Sequence, residues 1–188
     1  MSATQATSDD VLIARIAQGD RLAMQVLYGR HHVRVFRFGL RLVRNEQIAE
    51  DLISEGFFDV WREAGKFEGR STVSAWLLAI TRSKAQSALR RGKDAELDDA
   101  AAAIEDTSGD PAVAVRKRDK SEMLRQCLTA LSSEDREIVD LVYYHEKSVE
   151  EVAEIVGIRE NTVKTRLFYA RRKLADLLKA AGVERGWP

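Results

Sequence analysis

In the stretch SVEEVAEIVGIRENTVKTRLFYARRKL, Ser148 to Leu174, the side chains with chemistry to offer gather on one helical face. At about 100° per residue, Asn161, Thr162, Thr165, Tyr169 and Arg172 point away from the apolar stripe Val163, Leu167, Ala170, Leu174, Leu177 and Leu178. Lys164, Arg166 and Arg171 lie on the flanks. The chemistry is recognition, not bond breaking. Arg and Lys donate to guanine acceptors, Asn pairs with adenine, and Thr meets a thymine methyl or a phosphate. Between Arg159 and Lys173 the bases Arg159, Lys164, Arg166, Arg171, Arg172 and Lys173 face the single acid Glu160, a balance that suits a polyanion. The residues expected on duplex DNA are Arg159, Asn161, Thr162, Lys164, Thr165, Arg166, Arg171 and Arg172. Phe168 falls on the outer half of the helix and is expected to pack on the preceding one.

The elements that must hold this face in place are legible around it. Ser148 can cap a short helix, with Glu151 completing a capping box. Val149, Val152, Ala153 and Val156 are its expected inner face. Gly157 supplies the left-handed residue that ends the helix, Ile158 plugs the turn, and Asn161 or a neighbour starts the second helix. This is the pattern of a helix-turn-helix. Such a motif lays the first turn of its second helix in the major groove. The plain alternative is a solvated basic face on an ordinary helical hairpin. The capped first helix, the glycine turn and the polar-then-basic order favour DNA.

The rest of the chain reads as two helical blocks around an acidic stretch. Its 188 residues allow one mid-sized domain or two small ones. Hydrophobic residues at 45% and charged residues at 32% imply a soluble, core-forming protein. Two prolines and abundant Ala, Leu, Glu, Arg and Lys favour an all-α fold. No apolar run approaches the roughly 18 residues of a membrane span, so no membrane insertion is expected. The polar, acidic start MSATQATSDD does not read as a secretory signal. Cys127 stands alone, which excludes an internal disulfide and suits a reducing cytoplasm.

The first block is expected over residues 8–92. Asp20 can cap a helix through RLAMQVLYGRHHVRVFRFGLRLV, and Asn45 the next, EQIAEDLISEGFFDVWREAG. In the latter, Ala49, Leu52, Ile53, Gly56, Phe57, Val60 and Ala64 form the expected buried stripe. The loop KFEGRST follows, then a helix that is apolar early and basic late. Residues 93–115 are expected to be a flexible acidic linker, with Asp94, Glu96, Asp98, Asp99, Glu105, Asp106 and Asp110 against Lys93 up to position 110. Local coiling of its alanine run is the alternative. The second block is expected over residues 116–181. A first helix carries Met123, Leu124, Leu128 and Leu131, and Ser132 or Ser133 caps the next.

Enzymatic readings find little support. Asp9, Asp10, Glu50 and Asp51 could serve a helical nuclease, but His31 and His32 are adjacent and point to different sides of a helix, and His145 is alone. There is no H-E-x-x-H, paired Cys or glycine-rich phosphate loop. No catalytic residue, metal or cofactor is expected.

LSSEDREIVDLVYYHEKSVEEVAEIVGIRENTVKTRLFYARRKLADLL resembles region 4 of bacterial extracytoplasmic-function (ECF) sigma factors, and AEDLISEGFFDVWREAGKFEGRSTVSAWLLAITRSKAQSALRR resembles their region 2. The two come in the family's order. The resemblance implies a factor that binds the clamp and flap of core RNA polymerase and carries it to promoter DNA. Region 2 would recognise and melt the −10 element, and region 4 would read the −35 duplex through the face described above. An anti-sigma factor is the further partner implied. On the helix after Asn45, the resemblance assigns polymerase binding to Glu50, Asp51, Ser54, Glu55, Phe58 and Arg62. The family usually has Gln where Ser54 stands. It assigns −10 strand binding to Phe67, Ser71, Thr72, Trp76, Arg82, Lys84, Arg90 and Arg91. Aromatic platforms and basic grooves hold unstacked bases, although Phe67 and Trp76 suit a core equally well. The family commonly has Asn where Ser83 stands. A free-standing helix-turn-helix regulator is the competing reading; it would bind its duplex as a dimer without polymerase.

Overall fold

Most helices begin where the sequence supplies a side-chain oxygen to take up the first free amides. The computed structural model describes residues 7–95 and 123–181, and among these every regular element is helical. The chain divides into two compact units, Met1–Ile104 and Glu105–Pro188.

In the first unit Ser8 opens α1 (Asp9–Ile16), Asp20 opens α2 (Arg21–Val43) and Asn45 opens α3 (Glu46–Glu63), each side chain accepting from amides in the first turn. Such a cap contributes about 1 kcal/mol. A single 3-10 turn, Ala64–Lys66, and a loop lead to α4 (Val73–Ala95). Thr72 sits just before α4 and accepts from the Ala75 N–H at 3.3 Å. Residues 93–95 thus continue a helix where the sequence suggests a linker, and residues 96–115 of that stretch lie outside the described residues.

α2, α3 and α4 pack on one another, and α1 closes over α2 and the 3-10 turn. The expected α3 stripe from Ala49 to Ala64 is buried throughout. Leu12, Ile16, Leu27, Phe38 and Val60 are fully enclosed, each contributing about 1.5–3 kcal/mol by burial. α2 and α4 approach closely at Gly39, where an added Cβ would stand 3.4 Å from the Thr81 methyl. Thr81 is itself buried, and its hydroxyl donates to the Leu77 carbonyl at 2.8 Å.

α1 is not anticipated from the sequence. Its signals are Ser8, the acids Asp9 and Asp10 at the positive end of its dipole, and Leu12, Ile13 and Ile16 on one face. It is tied to α2 through Asp9, whose carboxylate takes Arg30 at 2.8 Å and His31 at 2.7 Å. Burial pushes the Asp9 pKa up, but the bonds and charges of Arg30 and His31 outweigh it and hold the group below its ordinary 3.8. A depressed carboxylate stabilises the fold above its unfolded pKa, and that stability is lost as pH falls through the folded one. The melting temperature of the first unit is therefore expected to drop as pH falls below about 3.8, the unfolded value. Asp9→Asn should flatten that drop in calorimetric scans.

The second unit has α5 at 123–129, then α6 (Ser133–Tyr143), α7 (Val149–Val156) and α8 (Glu160–Ala180). Ser132, not Ser133, caps α6. The Arg136 guanidinium holds the end of α5, donating to the carbonyls of Leu128 at 2.9 Å, Thr129 at 2.9 Å and Leu131 at 3.1 Å. α6, α7 and α8 pack pairwise around Ile138, Leu141, Val152 and Val163, all at 0% exposure. Ile155 completes the inner face of α7, while Val149 and Ala153 are only half-buried. Along α8, Val163, Leu167 and Ala170 are buried, but Leu174, Leu177 and Leu178 are half-exposed, because this 21-residue helix outruns the eight-residue α7. Among the described residues no helix is long and apolar enough to cross a membrane.

Candidate nucleic-acid and partner interfaces

The turn that aims α8 is built by α7. Ser148 accepts from the Glu151 N–H at 3.1 Å, and the Glu151 carboxylate accepts from the Ser148 N–H at 3.0 Å. The reciprocal pair fixes where α7 begins. Gly157 ends it in the left-handed region, φ 72° and ψ 36°, a conformation that is strained for any residue with a Cβ. α8 starts three residues later, at Glu160, with no side-chain cap from Arg159.

On α8 the residues Arg159, Asn161, Thr162, Lys164, Thr165, Arg171 and Arg172 are exposed, as spacing predicts, and Arg166 is half-buried. Arg166 lies near Glu134, whose pKa is held low by hydrogen bonds at the start of α6 and by the Arg166 charge, against the upward push of burial. Lys164 is paired with Glu160 at 3.4 Å. Arg171 donates through Nε to the Tyr143 hydroxyl, and its guanidinium lies over the Tyr143 ring, 5.5 Å from the centroid. Tyr143, on α6, is absent from the sequence reading; nothing local could pair residues 28 positions apart.

Phe168 corrects that reading. It is not buried but 60% exposed, with its ring against that of Tyr169, centroids 5.4 Å apart. The signal was available. Asn161, Thr165, Phe168 and Arg172, spaced by four, three and four residues, fall on one outward line.

In the first unit α3 turns Glu50, Asp51, Ser54, Glu55, Phe58 and Arg62 to solvent together. Arg62 bonds Asp59 at 2.9 Å and lies 5.9 Å over the Phe58 ring. The Phe67 and Trp76 rings meet at a tilt of 40°, centroids 5.0 Å apart, both half-buried against the core. Each packs on the core and keeps part of its surface accessible. Ser71 is half-buried and Thr72 exposed, its hydroxyl serving α4. Arg82 is half-buried, and Arg90 and Arg91 are exposed.

Lys84 is engaged within the fold. Its ammonium meets Asp59 at 2.7 Å and Glu55 at 3.3 Å. Burial works against that charge, but the bonds to the two carboxylates outweigh it and hold the pKa above the ordinary 10.5. Sequence reading placed Lys84 and Glu55 in different interfaces; the structure joins them. Among the described residues no group of His, Cys, Asp and Glu is arranged to hold a metal.

Two family models match the chain in order: Sigma-70 region 2 over residues 27–95 and Sigma-70, region 4 over residues 121–174. ECF RNA polymerase sigma factor SigM of Mycobacterium tuberculosis is 32% identical over 175 residues, 91% of this chain and 85% of the relative. RNA polymerase sigma factor CarQ of Myxococcus xanthus is 33% identical over 166 residues, 87% and 94% of the two chains. The fold is similar to that of CnrH, solved in complex with the cytosolic domain of CnrY, with TM-score 0.66 and 23% identity over 93% of this chain and 99% of the other. It is also similar to sigma factor RpoE of Bartonella quintana, solved with the anti-sigma factor NepR, with TM-score 0.59 and 28% identity over 78% and 90%. A bihelical reading motif, a separate helical bundle with an outward carboxylate face, and these matches along both converge: the chain belongs to the extracytoplasmic-function (ECF) subfamily of RNA polymerase sigma factors.

Proposed function

We propose that this sigma factor docks on core RNA polymerase through α3 and reads promoter duplex through α8. The observation that carries the reading is the outward, basic, polar face of α8, set by the capped α7 and the Gly157 turn. Holoenzyme assembly would use Glu50, Asp51, Ser54, Glu55, Phe58 and Arg62. The opened −10 strand would meet Phe67, Ser71, Thr72, Trp76, Arg82, Arg90 and Arg91, with Lys84 available only after it leaves Glu55 and Asp59. The −35 duplex would meet Arg159, Asn161, Thr162, Lys164, Thr165, Arg166, Arg171 and Arg172. The domain limits that go with these roles are 8–92 and 116–181, joined by the acidic stretch. The protein acts as a binding factor in the cytoplasm, not as an enzyme, and needs no cofactor. Control by an anti-sigma factor is part of the reading; the structural likeness to RpoE, solved with NepR, supports it.

The test is run-off transcription with reconstituted holoenzyme. Lys164→Ala and Arg171→Ala should each lower promoter-specific initiation about tenfold, the scale of one lost groove contact, while core binding stays unchanged. Unchanged run-off for both variants would remove α8 from the promoter. A free-standing regulator predicts the opposite of a holoenzyme requirement: tight, specific duplex binding by the purified chain alone in a band shift.

A further inference from the structure

Three bases follow one another on α8, and their surroundings differ. Arg172 is exposed. Lys173 donates to the Ala130 carbonyl at 2.6 Å, just after α5. Arg171 turns to α6, where its Nε–H meets the Tyr143 hydroxyl and its guanidinium lies 5.5 Å over the Tyr143 ring. Tyr143 is the last residue of α6, outside the pair α7 and α8, and is 57% exposed. A ring so little buried adds little to the core. What it does is fix one long side chain. A free arginine carries considerable rotamer entropy, and a ring contact plus a hydrogen bond removes much of it before any ligand arrives. Bonding through Nε keeps the Nη edge of the guanidinium for an anion, and that planar fork suits phosphate. Accepting from Arg171 also leaves the Tyr143 hydroxyl its own proton to donate. A guanidinium and a hydroxyl in contact thus offer adjacent donors, the chemistry that holds a nucleic-acid backbone.

We propose that Tyr143 is a duplex-binding residue supplied by α6: together with Arg171 it clamps one backbone phosphate of the promoter. The hydroxyl donates to one phosphate oxygen, and the guanidinium Nη groups take the same phosphate. This rests on α8 being the duplex-reading helix. Tyr143 acts twice in the clamp, as a donor in its own right and as the residue that presets Arg171. The contact fixes how the protein sits on the duplex and carries no sequence information itself.

The experiment uses the full-length chain in holoenzyme with core RNA polymerase, and a promoter duplex selected from a randomised library by the native holoenzyme. Each phosphate of the protected upstream element is replaced in turn by a methylphosphonate, which removes the charge and leaves every base intact. At one phosphate the replacement should weaken native binding about tenfold, the scale of one hydrogen bond to a charged group. Tyr143→Phe keeps the ring and loses the hydroxyl. It should weaken the unmodified duplex about fivefold and lose most of the sensitivity at that phosphate alone. Arg171→Ala should lose the same sensitivity and lower the salt slope of binding by about one, whereas Tyr143→Phe, which removes no charge, should keep the slope. In the double variant Tyr143→Phe should add nothing to Arg171→Ala. The proposal is overturned if no phosphate is sensitive, or if Tyr143→Phe binds like the native chain. It is equally overturned if Tyr143→Phe weakens the duplex modified at that phosphate as much as the unmodified one, the mark of a ring that only supports the fold, or if it loses core binding instead. If Lys164→Ala, Arg171→Ala and Tyr143→Phe all leave upstream protection untouched, the assignment of α8 falls along with it; an intact Arg171 effect with a silent Tyr143→Phe overturns the tyrosine contact alone.

Discussion

Phe58→Ala is expected to bind core RNA polymerase about 30-fold more weakly than the native chain while melting at the same temperature. The ring is 61% exposed on α3 and contributes little to the folded state. Arg62 lies over it at 5.9 Å, and Asp51 and Glu55 are exposed on the same helix. An aromatic ring within a charged rim is the composition of an interface hot spot, where truncation costs about 2 kcal/mol. Adding Asp51→Ala should weaken docking further and reduce its on-rate at low salt, since a rim charge acts mainly through steering. Fluorescence titration of a labelled chain against core enzyme measures both. An unchanged dissociation constant for the double variant would move the docking face elsewhere.

The second large effect is on stability. Leu141→Ala should lower the melting transition of the second unit by about 10 °C or more and abolish promoter recognition, yet leave docking through α3 in place. Leu141 is at 0% exposure on α6, which packs against both α7 and α8. Removing three methyl-sized groups from such a site costs about 2–5 kcal/mol, transfer and cavity together. A unit this small is only marginally stable, and each kcal/mol shifts its midpoint by about 4–8 °C. Circular dichroism melts, paired with a core-binding assay, check the two halves of the expectation. A variant that melts like the native chain would mean that α6 is not the support on which α8 rests.

How much of this was legible without coordinates depends on the distance over which each signal acts. Caps are local, so Asp20, Asn45, Ser148 with Glu151, and Gly157 could be read directly. The stripe of α3 could be read because one unbroken period runs from Ala49 to Ala64. α1 escaped because eight residues barely complete two turns of periodicity. Phe168 was placed on the outer half of α8 but expected to pack on the preceding helix; its 60% exposure fits its register with Asn161, Thr165 and Arg172. Tyr143 against Arg171, and Lys84 between Glu55 and Asp59, are tertiary pairings with no local trace. The extent of burial along α8 was overstated for the same reason: the lengths of α6 and α7, not the pattern within α8, decide where its cover ends.

The shared position of Lys84 has an electrical consequence. Any cation brought up to Glu55 competes with that ammonium for one carboxylate, and an ammonium displaced from Glu55 leans more heavily on Asp59 or seeks another anion. A polymer of phosphates passing along α4 would be such an anion. Glu55 on α3 and Lys84 on α4 thus share one ion pair, and whatever engages either of them alters the counter-ion of the other.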